Sequence, residues 1–319
     1  MPPFNSILYK GGIVMEKTEN KSFNKLDRNI NYDTQELWDK CFSDLPLINQ
    51  RLIKAFGTVF SKKAYKHNPR CPITISALHK IGKLHIYEGE HYFEKGTPQQ
   101  EYAESLTNKI VEKLKNGNNQ TSKYLKDFLK DKKIKVGLYK KLEDDAGFDG
   151  YNPLTKELYI DLSAGLFYYN PKYPELFNED ALARTIGHEL GHAVEQANRS
   201  HKTSQNSVGY SSKGWEIESF CDAFGTALCI GAGYSLTPTL EKMKKFEDQE
   251  LAIHREDDPH PSQKQRHQLS DMMLKAYNYD TQNKEATPYP KNIKDIDFHD
   301  KDYYEKLKAN SKNNQNQSR

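Results

Sequence analysis

Apolar positions change their spacing several times along the chain, and each change predicts an element. Between Thr34 and Phe60, "TQELWDKCFSDLPLINQRLIKAF" sets Leu37, Cys41, Leu45, Leu52, Ile53 and Phe56 at helical spacing, broken by Pro46. Two short helices are expected there, because proline removes a backbone donor and clashes with the preceding turn. Strand-like pieces follow in residues 70–95. "TPQQEYAESLTNKIVEKLKN" then carries Tyr102, Leu106, Ile110 and Leu114 on one stripe, as an amphipathic helix does. "KIKVGLYK" alternates Ile134, Val136 and Leu138 as a strand does, and "FDGYNPLTKELYIDLSAGLF" reads as a turn and a strand centred on Leu158 to Leu162. Asn178 is placed to cap the helix "EDALARTIGHELGHAVEQ", whose Glu179 and Asp180 suit the positive end of the dipole. "WEIESFCDAFGTALC" predicts a second, more apolar helix, and "HREDDPHPSQKQRHQLSDMM" a loop entering a third.

The pattern therefore predicts an α+β, mostly helical chain with a small β-sheet. Residues 1–33 and 311–319 are polar and unperiodic, and are expected to be disordered. Residues 34–132 are expected to form a helical accessory region, and 133–310 the core carrying the chemistry. A total of 319 residues allows one large core or a core with an appendage, since single cores stop growing at roughly 250–300 residues. "KGGIVM" before Met15 looks like a translated ribosome-binding site, so the native start is expected at Met15.

Composition narrows the partners. A net charge of +3 does not select nucleic acid or an anionic membrane, although "KDFLKDKKIKVGLYKK" is locally basic. No stretch offers the ~18 strongly apolar residues needed to span a bilayer, so no integral membrane segment is expected. Cys41, Cys71, Cys221 and Cys229 are far apart with no C-x-x-C spacing, which predicts reduced thiols. Without the apolar core of a signal peptide, the chain is expected to be cytoplasmic.

The densest chemistry lies in "RTIGHELGHAVEQ". Residues four apart on a helix lie nearly one above the other, so His188 and His192 can reach one ion at the 2.0–2.1 Å typical of zinc–nitrogen bonds. Glu189, about 100° round the helix, can serve as general base to a metal-activated water without ligating. Gly187 and Gly191 each cost a helix ~1 kcal/mol relative to Ala, which implies that something approaches closely. A metzincin pattern fails, because Glu195 and Asn198 stand where it needs Gly and His. Glu218 is the better third ligand: Asp222, one turn on, can accept the free N–H of a ligating histidine. Glu216 competes, but the residue one turn beyond it is Phe220, which cannot do this.

These residues carry a resemblance to the HtpX and CAAX-prenyl-protease family of gluzincin peptidases, over about residues 148–266. "YIDLSAGLF" resembles that family's strand and exit, "NEDALARTIGHELGHAV" its zinc helix, "EIESFCDAFGTALCIGAGY" its E-x-x-x-D helix, and "HPSQKQR" its downstream His-Pro element. The resemblance implies a zincin-like core whose edge strand precedes the zinc helix. It also implies Zn2+ on His188, His192 and Glu218, Glu189 as base, and Asp222 behind the ligands. His260 or Arg266 would lie beside the site to stabilise an oxyanion. The chain departs from the family at Cys221, which replaces a small residue, at Leu236, where a proline often stands, and in lacking membrane helices.

The expected function is zinc-dependent endopeptidase action on a protein or peptide substrate, with the strand at Leu158 to Leu162 as the edge that pairs with it. Two alternatives share the motif. One is an ImmA/IrrE-like regulatory peptidase, for which "DGYNPLTKELYID" is not unlike the preceding hairpin. The other is a non-catalytic zinc scaffold, which would need a fourth ligand such as His201, His254 or His260.

Overall fold

A computed structural model describes residues 35–56, 91–143, 145–152, 154–171, 174–202, 214–237, 239–241, 244, 261–280 and 285–317. The expectations for residues 1–33, Met15, Cys71, His254, His260 and most of the stretch 70–95 lie outside these. Pro46 separates helix α1 (Gln35–Cys41) from a helical stretch at 47–56, as its missing donor requires. Thr97 caps α2 (Pro98–Lys115), and Asn119 caps α3 (Gln120–Phe128) through a bond from Ser122 N at 3.0 Å. The strands are β1 (Lys133–Tyr139), β2 (Ala146–Asn152) and β3 (Glu157–Ser163). Helices α4 (Glu179–Lys202), α5 (Gly214–Ala232), α6 (Gln263–Ala276) and α7 (Lys301–Gln317) complete the order. No described helix is long and apolar enough to cross a membrane.

The sheet order is β1-β3-β2, with β3 parallel to β1 and antiparallel to β2. This corrects the expectation that the strand at Leu158 to Leu162 is the edge, because it is the central strand. The reason is visible in its side chains: Leu158, Ile160 and Leu162 are wholly buried on one face, and Tyr159 and Ser163 are buried on the other. A strand buried on both faces belongs in the middle of a sheet. Strand β2, read as a turn because of its Gly and Asp content, is the edge instead. It bends at a bulge between Phe148 and Gly150, where Gly150 takes φ 131°.

The other edge is closed. The Gln100 side chain pairs with β1 as a strand would, donating Nε2 to Val136 O at 2.7 Å and accepting from Leu138 N at 3.0 Å. Residues 91–93 continue this cover, with Phe93 N on Leu138 O at 2.9 Å and Lys140 N on His91 O at 2.9 Å. Among the described strands, β2 pairs with β3 alone, and it packs against α4.

Thr34–Arg319 falls into one compact unit, and a single apolar cluster of described residues runs from Leu37 to Phe298. The stripe Tyr102, Leu106, Ile110 and Leu114 is buried in this shared core, and Trp38 and Phe42 of the α1 region meet Phe220 of α5 at ring distances of 5.6 and 6.2 Å. Helix α7 runs through residue 317.

Helices α4 and α5 pack at backbone contact. A Cβ on Gly187 would lie 3.0 Å from Gly225 Cα, one on Gly191 2.9 Å from Cys221 Cα, and one on Gly225 2.8 Å from His188 N. The pairings 187 with 225 and 191 with 221 run in opposite directions, so the helices are antiparallel. The close approach that the two glycines implied is thus the backbone of α5. Gly225→Ala is expected to destabilise the chain by about 1–3 kcal/mol in urea unfolding, despite the better helix propensity of Ala, because backbone must move. Gly147→Ala, where nothing lies within 4 Å, is the control expected to change little.

Candidate metal centre

The start of α4 is held on three sides. Asn178 Oδ1 caps it through Ala181 N at 2.9 Å, and buried Asp180 accepts from Ser235 N at 2.9 Å and Thr287 Oγ1 at 3.0 Å. Tyr234 OH donates to Glu179 Oε1 at 3.0 Å. With its first turn fixed, the helix presents Arg184, His188 and His192 at successive four-residue steps, one stripe facing α5.

That stripe meets Glu218 and Asp222, one turn apart on α5. His188 Nε2 and His192 Nε2 lie 3.1 Å apart, His188 Nε2 lies 3.2 Å from Glu218 Oε2, and His192 Nε2 lies 3.5 Å from Glu218 Oε1. In a tetrahedral site with bonds of 2.0–2.1 Å, neighbouring ligand atoms are about 3.3–3.4 Å apart. The three separations lie near that value, with Glu218 meeting the two rings through different oxygens, so His188, His192 and Glu218 are gathered closely enough that they could hold a metal ion. All three offer ligand atoms within 4.8 Å of one another, and among the described residues this is the one His, Cys, Asp and Glu group of three with that property.

The electrostatics suit a cation. Burial disfavours the charge on Glu218, but the two histidines outweigh it and hold the carboxyl well below the usual range. Burial likewise opposes charge on His188, yet hydrogen bonds to Asp222 and Glu218 raise its pKa overall. His192 is raised further, with Cys221 and Glu218 opposing the burial.

Behind His188 stands Asp222, fully buried. Its Oδ1 accepts from His188 Nδ1 at 3.0 Å, Arg184 Nη2 at 3.0 Å and Arg266 Nη2 at 2.7 Å, while its Oδ2 accepts from Arg266 Nε at 2.8 Å. Burial alone would raise this carboxyl, but Arg266 and then Arg184 hold it well below the ordinary carboxylate range. An ionised Asp222 fixes Nδ1 of His188 as the protonated nitrogen and leaves Nε2 for the ion. Arg266 enters from α6, whose first turn is secured by a capping box between Ser262 and Gln265.

Glu189 faces a cleft of about 210 Å³, lined also by His188, Thr185, Arg266, Asp145 and Tyr289. It is 6 % exposed and is not one of the three ligand candidates. The arrangement thus sets the Glu189 side chain close to the three candidate ligands, at the wall of this cleft.

Of the sequence-derived site residues, the structure brings His188, Glu189, His192, Glu218, Asp222 and Arg266 together. Arg266 stands beside the site, but its Nε and one Nη are turned to Asp222. His260 and the side chain of Glu216 are outside the described residues, as are His254 and the side chain of His201, the other candidates for a fourth ligand. Sequence reasoning missed Arg184, although its place one turn before His188 was a usable signal. No protein-family model matches the chain, and no curated protein matches it.

Proposed function

We propose that this chain is a zinc-dependent endopeptidase of the HtpX and CAAX-prenyl-protease kind that its sequence resembles. The observation that carries the reading is the set of ligand separations, 3.1, 3.2 and 3.5 Å, among His188, His192 and Glu218. Two imidazoles and a carboxylate suit zinc, and three protein ligands leave a fourth position for chemistry. A zinc ion there supplies Lewis acidity that polarises a carbonyl and acidifies water. Glu189 then takes a proton from the attacking water and delivers it to the leaving amine.

The substrate is an extended peptide laid along β2, the outer strand that pairs with β3 and packs on α4. Pairing of this kind reads backbone, so selectivity falls to the cleft beside Glu189. The proposal is tested by metal content of the purified chain and by casein hydrolysis with and without chelator. Near-stoichiometric zinc with chelator-sensitive cleavage, restored by zinc, is the expected result. Zinc without proteolysis would favour the scaffold reading.

A further inference from the structure

The cleft beside Glu189 has a positively charged wall that the zinc chemistry leaves unused. Arg184 and Arg266 both line it, and both bind Asp222. One carboxylate offsets only one of two guanidiniums, so a positive charge is left over on this wall. Donors are left over as well. Among the described residues, Arg184 Nε has no hydrogen-bond partner although the side chain is only 7 % exposed, and no hydrogen bond uses Nη1 of either arginine. An unanswered donor on a buried charged group is costly, which calls for an acceptor that arrives from the cleft. The first turn of α6 reaches the same place: Gln263 also lines the cleft, and the positive end of the helix dipole adds to the two arginines. Two acids line the cleft too, but Glu189 is the general base beside the candidate ligands, and Asp145 is exposed, where solvent screens its charge.

Resting on the zinc reading above, we infer that this wall is a subsite for a carboxylate of the substrate, an Asp or Glu side chain received by Nη1 of Arg184 and of Arg266. Two guanidiniums on one carboxylate make the short, charge-assisted bonds that favour an acid over its amide. Arg184 stands one turn before His188 on α4, about 6 Å along the helix axis. An extended peptide advances about 3.3 Å per residue, so the acid falls within about two residues of the bond that is cut. A substrate cut in mid-chain continues past the cleft, so the carboxylate is that of a side chain and not of the chain end.

The test measures kcat/KM of the zinc-loaded chain on peptides blocked at both ends that carry Glu or Gln within two residues of the cleaved bond. Glu is expected to be favoured about tenfold, the advantage of a charge-assisted hydrogen bond over a neutral one. Arg184→Gln is expected to bring the ratio of the two rates towards one, and a ratio taken within one variant does not depend on how much of it folds or holds zinc. Calorimetric binding of the same peptides to the unreactive Glu189→Gln chain reads the preference without turnover and without altering either arginine. Equal rates and affinities for the Glu and Gln peptides overturn the inference alone, as does an undiminished preference in Arg184→Gln. A preference that emerges only when the C-terminus is left free assigns the arginines to the terminal carboxylate and overturns the side-chain assignment. A zinc-loaded chain that cleaves neither peptide overturns the peptidase reading, and the inference with it.

Discussion

Glu189→Gln is expected to keep zinc in place and to lower peptide hydrolysis by about 100- to 10,000-fold, the usual contribution of a positioned general acid or base. Glutamine has nearly the same shape, so the buried packing of a residue 6 % exposed is preserved. It has no carboxylate, and neither ligates nor takes up a proton at neutral pH. Metal should be unaffected because the ligand candidates are His188, His192 and Glu218, none of which bonds through Glu189. Measuring kcat/KM on a fluorogenic peptide alongside elemental analysis separates the two roles. Hydrolysis equal to that of the unaltered chain would remove Glu189 from the mechanism, while loss of zinc would place it among the ligands.

The parts of this site that could be read in the sequence are those with a fixed local period. His188 and His192 share a face because they are four apart on one helix, and Glu218 and Asp222 share a face for the same reason. Even the close packing of α4 on α5 was announced by Gly187 and Gly191, whose only benefit is to admit another backbone. Sheet order had no such local signature. The β1-β3-β2 arrangement depends on a hairpin that inserts β3 between its neighbours, and the Gly-rich β2 gave too few apolar positions to be seen as a strand. Likewise, nothing near Gln100 shows that its amide closes the edge of β1, since its partners Val136 and Leu138 are 36 and 38 residues away. Arg184 shares the stripe of His188, one turn before it, but that it and Arg266 both end on Asp222 stays hidden until the chain is folded, because the partner of a charge carries no period.

Asp222→Ala is expected to damage stability and metal binding together, which distinguishes it from Glu189→Gln. Two guanidiniums converge on this one carboxylate, Arg184 through Nη2 and Arg266 through Nε and Nη2. Removing it leaves buried Arg184 and partly buried Arg266 without their shared carboxylate, and breaking a buried ion pair in this way costs about 3–5 kcal/mol. Zinc affinity should fall about 10- to 100-fold as His188 loses the acceptor for Nδ1. The pH dependence follows from the sign of the shift. The folded carboxyl is held well below the range of the unfolded one, about 3.9. Its contribution is therefore complete above that unfolded value and declines as pH falls through the folded one. Urea unfolding of the zinc-free proteins should show the full gap between unaltered chain and variant at neutral pH, narrowing only in strong acid. A gap that instead closed as pH rose above neutrality would assign the stabilisation to the histidines, whose raised pKa values lose their contribution as pH rises, and not to the buried carboxylate.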